Sequence, residues 1–102
     1  MKIYNKLVRD RIPEIIKNNG QACVTEILST EEYITALDEK LREEMEEYQC
    51  DKSIDELADL LEVVYSVAKA RGWSIDELEE VRKTKAEKRG GFEKRIFLKE
   101  VQ

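Results

Sequence analysis

The chain has 102 residues, 40% of them charged, with a formal net charge of −5 and no histidine. This length suits a single domain, residues 1–102, with a modest core. The lack of histidine excludes Ser-His and Cys-His catalysis and imidazole metal sites. We expect a cytoplasmic protein without a membrane partner, because no signal peptide or membrane-length apolar run is present. Cys23 and Cys50 have no C-x-x-C spacing and are expected to be reduced thiols.

Acidic and basic residues are distributed unevenly along the chain. Residues 31–62 carry 13 acids and 3 bases, whereas residues 63–102 carry 10 bases and 7 acids. A surface for a nucleic acid polymer requires a basic excess that this chain lacks, so we expect no such partner. An acidic patch near a basic patch is more typical of a metal–phosphate site.

Helix signals divide most of the chain. The stretch IPEIIKNNG, with Pro13 in its first turn, predicts a short helix. Three Ser-x-x-Glu capping boxes then predict longer helices. These helices run from Ser29 to about Gln49, from Ser53 to about Arg71 and from Ser74 to about Arg89. Gly72 and Gly90 are suited to end the last two.

The connections between these helices predict the fold class. A turn of about four residues after Gln49 makes the first two long helices antiparallel neighbours. A chain this small often buries more apolar surface by pairing with further copies. We therefore predict an all-α antiparallel helical bundle completed by oligomerisation. The segments ACVTEIL (Ala22 to Leu28) and RIFLKEV (Arg95 to Val101) have strand-like composition, which leaves open a short two-stranded β edge.

Two acidic motifs stand on the first two long helices, Glu43-Glu44-x-x-Glu47 and Glu56-x-x-Asp59. On the first helix the apolar stripe is centred on Leu41, at ~100° per residue. Glu44 lies about 60° from that centre and Glu47 about 120° from it. The stripe consists of Ile34, Leu37, Leu41, Met45 and Tyr48.

On the second long helix the apolar arc is centred on Leu57 and widened by Val63 and Val67. Glu56 lies about 100° from Leu57, inside that arc, and Asp59 lies about 160° from it. Each helix therefore places one carboxylate on a surface that otherwise reads as buried.

The tight turn brings the two motifs to nearly the same height on the hairpin. Converging carboxylates repel one another, and a divalent cation relieves that repulsion. Oxygen ligands without imidazole or thiolate suit Mg²⁺, or alternatively Mn²⁺. The candidate ligands are Glu44, Glu47, Glu56 and Asp59.

Two structural alternatives remain at this point. Glu56 is the fourth residue of Ser53-x-x-Glu56, so its side chain could simply cap the helix. The same string, SIDEL, recurs at residues 74–78 without an obvious partner helix. Lys40 and Arg42 could also neutralise nearby acids as exposed helical pairs.

The third long helix ends in a basic cluster that includes Lys85, Lys88 and Arg89. Cations in a last helical turn favour the helix dipole, which is one interpretation. The other is a phosphate clamp, with Gly90-Gly91 letting the backbone approach the ligand. Lys6 and Arg9, in NKLVRDRIP, form a second basic group that could fold back over it.

These motifs together resemble the all-α nucleotide pyrophosphohydrolase superfamily, which includes MazG-like and phosphoribosyl-ATP pyrophosphohydrolase-like proteins. Glu43-Glu44-x-x-Glu47 and Glu56-Leu-Ala-Asp59 match its EExxE…ExxD pattern. The ends, NKLVRDRIPEII and KRGGFEKRIFLKEV, resemble its small house-cleaning branch. Eight residues separate Glu47 from Glu56, fewer than the superfamily usually has.

The resemblance implies helical subunits that assemble as dimers or larger oligomers and use Mg²⁺ to cleave the α–β phosphate bond of a nucleoside triphosphate. Glu44, Glu47, Glu56 and Asp59 match the metal ligands, with Glu43 or Glu44 as the base. The phosphate-binding candidates are Lys85, Lys88, Arg89, Lys6 and Arg9. The alternatives are phosphoribosyl-ATP pyrophosphohydrolase activity and a non-catalytic helical oligomer or partner-binding module.

Overall fold

The computed structural model describes residues 1–102 and contains four helices and no strand. The helices are α1 (Ile12–Asn18), α2 (Thr30–Cys50), α3 (Ile54–Ala70) and α4 (Ile75–Arg89). The all-α prediction is confirmed, and the predicted ends of the three long helices agree to about one residue. Residues 22–28 and 95–101 form no strand, so the two-stranded edge is not formed within the chain. None of the helices has the length and apolar character needed to cross a membrane.

Each long helix begins at the serine that the sequence predicts. The Ser29, Ser53 and Ser74 hydroxyls each accept a hydrogen bond from a backbone N–H three residues later. Such a cap satisfies one of the N–H groups that a helix start leaves unpaired. At the other end of α3, Gly72 takes the left-handed conformation, with φ of 95°. The N–H of Gly72 donates to the Lys69 carbonyl, which stops the helix.

α2 and α3 form an antiparallel hairpin, because only residues 51–53 connect them. The open end of the hairpin is joined by an ion pair in which Arg71 Nη2 lies 2.6 Å from Asp38 Oδ2. α4 packs only against α3, and α1 packs against none of the other helices. The hairpin is therefore the element that positions the acidic motifs.

α2 is rotated slightly from its predicted orientation. Leu37 is 3% exposed and Glu44 6%, whereas Met45, predicted to lie in the buried stripe, is 49% exposed. The buried side is thus centred between Leu37 and Glu44 rather than on Leu41. This rotation brings Glu44 from the shoulder of the apolar stripe into the interface.

α3 departs further from the prediction. Leu57, the predicted centre of the buried arc, is 47% exposed, and Leu61 is 48% exposed. Val63 and Ala68 are buried instead. Val63 lies about 120° round from Leu57, near the direction of Glu56, whereas Ala68, three turns further along, lies about 20° from Leu57. The apolar arc is wider than one partner helix can cover, so a strip of it stays uncovered.

The chain alone exposes much more surface than a compact protein of its mass. Its accessible surface is 9598 Å², against about 6000 Å² expected from the scaling of folded monomers with mass. Its radius of gyration is 18.0 Å, against about 13 Å for a compact 100-residue domain. The single chain therefore leaves more surface, including many large apolar side chains, in contact with water than a compact fold of its mass would.

Candidate metal centre

Glu44 is the one charged residue that the hairpin buries. One of its oxygens, Oε1, lies 3.3 Å from Lys40 Nζ, which also lies 3.5 Å from Glu43 Oε1. The other oxygen, Oε2, is buried and has no hydrogen-bond partner. A buried carboxylate oxygen without a donor is costly, so this atom is available to a cation or a hydrogen-bond donor. Lys40 neutralises Glu43 and Glu44 as the sequence suggested, but its side chain is only 17% exposed.

Glu56 lies in the first turn of α3 and belongs to the same acidic cluster as Glu44. Its backbone N–H donates to the Ser53 hydroxyl at 3.3 Å, but its carboxylate does not return to the Ser53 N–H. The full capping box is present at Ser29, where the N–H donates to Glu32 Oε1 at 3.1 Å. Glu56 Oε2 is instead buried without a partner. The capping alternative for the Glu56 side chain is therefore wrong.

Asp59 lies one turn further along α3 and completes a group of three. One oxygen each from Glu44, Glu56 and Asp59 lie within 4.8 Å of one another. Oxygens bound to one Mg²⁺ at about 2.0–2.1 Å are separated by at most roughly 4.2 Å. Small side-chain movements would bring the three oxygens to that separation. Two buried oxygens without donors and an all-oxygen ligand set fit a hard divalent cation.

Glu47 borders this group at the turn end of the hairpin. Burial raises the pKa of Glu56, and the neighbouring Glu47 carboxylate raises it further. The charges of Asp59 and Glu44 raise the pKa of Glu56 as well. The side chain of Glu47 is exposed, unlike that of Glu44. The four predicted ligands therefore form one electrostatic cluster, with Glu44 at its inner end and Glu47 at its mouth.

An open groove of ≈ 460 Å³ lies beside this mouth. Glu43 has a side chain 35% exposed and lies on the groove wall, between Lys40 and the N-terminal segment. The position gives Glu43 access to a solvent molecule, which Glu44 lacks. The groove is lined by Glu43, Glu46, Glu47, Cys50, Asp51 and Glu56.

The N-terminal basic residues meet the acidic cluster and not the basic end of α4. Arg9 Nη2 lies 2.7 Å from Asp59 Oδ1, and Lys6 Nζ lies 3.8 Å from Glu43 Oε1. The expectation that Lys6 and Arg9 fold over the other basic group is therefore wrong. The carboxylates attract them more strongly, because opposite charges at these distances gain Coulomb energy that like charges lose. Sequence spacing gave no signal for a contact across 50 residues.

The basic residues of α4 are not brought to the carboxylates within one chain. Lys85, Lys88 and Arg89 are exposed and take part in none of the ion pairs of the structure. α4 makes no packing contact with α2. Both cysteines are free thiols, as expected, and Cys50 reaches the groove.

Comparison with known proteins gives one local similarity. A protein of Mycolicibacterium smegmatis described as uncharacterized is 55% identical to this chain over 42 residues. The matched stretch is 41% of this chain and 43% of that protein, so the chain spans less than half the length of that relative. No protein-family model and no solved structure matches the chain.

Proposed function

We propose that this chain is a Mg²⁺-dependent nucleotide pyrophosphohydrolase of the MazG-like kind. It would cleave the α–β phosphate bond of a noncanonical nucleoside triphosphate, giving a monophosphate and pyrophosphate. One observation carries the proposal: Glu44 is buried with an unpartnered Oε2, and one oxygen each of Glu44, Glu56 and Asp59 lie within 4.8 Å of one another. Three neighbouring helical carboxylates repel one another, and a bound cation would relieve that repulsion.

The role proposed for each carboxylate depends on how buried it is. Glu44, Glu56 and Asp59 would hold Mg²⁺, with Mn²⁺ as a substitute, and Glu47 would complete the set from the mouth. The bound cation would neutralise charge on the phosphate groups. Lys40 keeps Glu44 Oε1 occupied and leaves Oε2 free for ligation.

Glu43 is the better placed of the two candidate bases. Its carboxylate borders the groove, whereas the Glu44 side chain is only 8% exposed. Glu43 would orient a water and accept its proton as the water oxygen attacks phosphorus and the bond to the leaving pyrophosphate breaks. Lys40 Nζ and Lys6 Nζ lie 3.5 Å and 3.8 Å from Glu43 Oε1 and would hold this carboxylate in position.

The phosphate contacts come from two places. Lys6 and Arg9 stand at the cluster and would bind substrate phosphates directly. Lys85, Lys88 and Arg89 would bind the leaving pyrophosphate, and their contribution requires assembly because α4 does not reach α2 in one chain.

We also propose that the chain functions as a homodimer or homotetramer. The surface excess over a compact monomer is roughly 3600 Å² per chain, or about 7200 Å² for two chains, so an obligate interface of about 2,000–5,000 Å² in total would remove a large part of it. Ile54, Leu57 and Leu61 lie on one side of α3, spaced by three and four residues, and are 81%, 47% and 48% exposed. This side of α3, the α3 apolar strip, is the proposed interface.

The two-stranded edge belongs to the same proposal. Val24 is 101% exposed, and Ile96 and Leu98 are 81% and 72% exposed, in segments without regular structure. Assembly would bring such segments against apolar surface and allow them to pair.

The decisive experiment is pyrophosphate release from a panel of nucleotides in Mg²⁺, with phosphoribosyl-ATP in the same panel. We expect wild-type turnover with one or more nucleoside triphosphates. Asp59→Asn and Glu47→Gln should lower turnover, Asp59→Asn by about 100-fold or more, because even outer-shell partners of a metal are worth about 10–100-fold.

Glu62→Gln is the matched control, because Glu62 is an exposed acid on the same helix as Asp59. It should retain wild-type turnover. Equal turnover in Asp59→Asn and Glu62→Gln would remove the site assignment. Turnover with phosphoribosyl-ATP alone would mean that the substrate is phosphoribosyl-ATP and not a noncanonical nucleoside triphosphate. A folded chain without turnover or Mg²⁺ binding would favour a non-catalytic helical module.

A further inference from the structure

Arg9 and Asp59 are in contact, although the proposed function gives them different ligands. Arg9 belongs to the segment before α1 and is a phosphate-binding candidate, whereas Asp59 is a cation-ligand candidate on α3. Arg9 Nη2 donates to Asp59 Oδ1 at 2.7 Å, across 50 residues of sequence. It is the hydrogen bond that attaches the N-terminal segment to the hairpin.

This contact and a bound divalent cation compete for one carboxylate. A guanidinium on Asp59 occupies one of its two carboxylate oxygens and places a positive charge beside the cluster, which opposes the binding of a cation there. Glu44 and Glu56 each keep a buried oxygen without a partner, whereas Asp59 accepts the hydrogen bond from Arg9 through Oδ1. The pair is also easy to open, because the Arg9 and Asp59 side chains are 59% and 41% exposed.

We propose that Arg9 is an exchangeable counter-ion: it holds Asp59 while the cluster is empty and is displaced when a divalent cation binds. The released guanidinium is then free to bind substrate phosphate, so cation binding prepares the phosphate site. Binding would therefore be ordered, with the cation before the nucleotide. This inference rests on the proposed function, because it requires the cluster to bind a cation.

Cation affinity tests the competition. Mn²⁺ and Mg²⁺ are titrated by calorimetry into the wild type, Arg9→Gln and Arg71→Gln. Arg9→Gln should bind the cation about two- to five-fold more tightly, the range expected when one exposed ion pair no longer competes. Arg71→Gln removes the same charge from a pair of similar exposure, with Asp38 at the open end of the hairpin, and should leave the affinity unchanged.

Proteolysis tests the displacement itself. Trypsin cleavage after Lys6, followed by mass spectrometry, reports how often the N-terminal segment leaves the hairpin. In the wild type and in Arg71→Gln, millimolar Mg²⁺ should accelerate this cleavage by about two- to five-fold. In Arg9→Gln it should already be fast without Mg²⁺. Cleavage after Lys94, in the C-terminal segment, is the internal control and should not respond.

The outcomes separate this inference from the proposed function. If the wild type binds the cation but Arg9→Gln changes neither affinity nor cleavage, the counter-ion role is wrong and the cation site stands. Tighter binding in Arg9→Gln without accelerated wild-type cleavage overturns the displacement, because Arg9 then stays on Asp59. No cation binding by any variant removes the proposed function and this inference with it.

Discussion

The string SIDEL occurs twice in this chain, at residues 53–57 and 74–78, and its two copies have different surroundings. Both begin a helix, and in both the serine hydroxyl accepts from the glutamate N–H. The first copy begins α3, which packs along α2, whereas the second begins α4, which packs only on α3. Glu56 has a buried oxygen without a partner, and Glu77 is exposed. The local sequence therefore determines the serine cap, whereas packing against a neighbouring helix determines whether the glutamate side chain is buried.

The leucines of the two copies show the opposite order of exposure from the glutamates: the one in the first copy is the more exposed. Leu57 is 47% exposed although its helix lies in the hairpin, while Leu78 is half-buried on a helix with little packing. In the first two turns of α3, Glu56 has a buried oxygen while Leu57 and Leu61 are about half exposed. A carboxylate has thus taken the position that the apolar pattern assigns to core, which is reasonable for a functional site and costly for stability alone.

Exchanging the two glutamates for glutamine should give the largest contrast. Glu56→Gln removes a carboxylate from the cluster and should weaken Mn²⁺ binding by about 10- to 100-fold, with a similar loss of pyrophosphate release. Glu77→Gln makes the same change on an exposed surface and should leave both unchanged. Calorimetry and a pyrophosphate assay measure the two effects. Equal behaviour of the two variants would mean that the first SIDEL is only a helix start.

The leucines give a second contrast, in assembly. Leu57→Glu places a charge in the α3 apolar strip and should shift the oligomer to monomer at micromolar concentration, because a buried unpaired charge is costly. Light scattering after size exclusion measures the mass. Leu78→Glu should keep the wild-type mass and affect only the packing of α4 on α3. A wild-type chain that is already monomeric would remove the proposed interface.

Helix boundaries and the inward side of each acidic motif were predictable because both depend on local signals. Serine caps, glycine stops and the period of the helix place Glu44 and Glu56 near the interface without any knowledge of tertiary contacts. The prediction that Glu44 lies near buried surface is confirmed by its 6% exposure.

Properties that depend on which elements meet were not predictable. The apolar arc of α3 is wide enough to permit several rotations, and the sequence alone did not exclude the one that exposes Leu57. The pairing of Arg9 with Asp59 joins a loop residue to a helix across 50 residues, and no periodic pattern encodes such a contact. In the single chain α4 makes no contact with α2, so the proposed phosphate-binding roles of Lys85 and Arg89 stay predictions.

The pH dependence of stability gives the smallest contrast between the two copies. Burial and neighbouring carboxylates raise the pKa of Glu56 above its ordinary value of 4.5. The folded chain therefore binds a proton that the unfolded chain has released, and cation-free stability should fall as pH rises from about 4.5 through the raised pKa. Denaturant titrations at several pH values, in chelator, should show this fall in the wild type and in Glu77→Gln. The fall should be reduced in Glu56→Gln, which cannot ionise.

Added Mg²⁺ should oppose this fall in stability in the wild type, because a cation bound to the ionised cluster stabilises the folded state. If stability depends on pH in the same way in Glu56→Gln and Glu77→Gln, Glu56 is solvated in both the folded and the unfolded chain. The interface between α2 and α3 then does not concentrate negative charge.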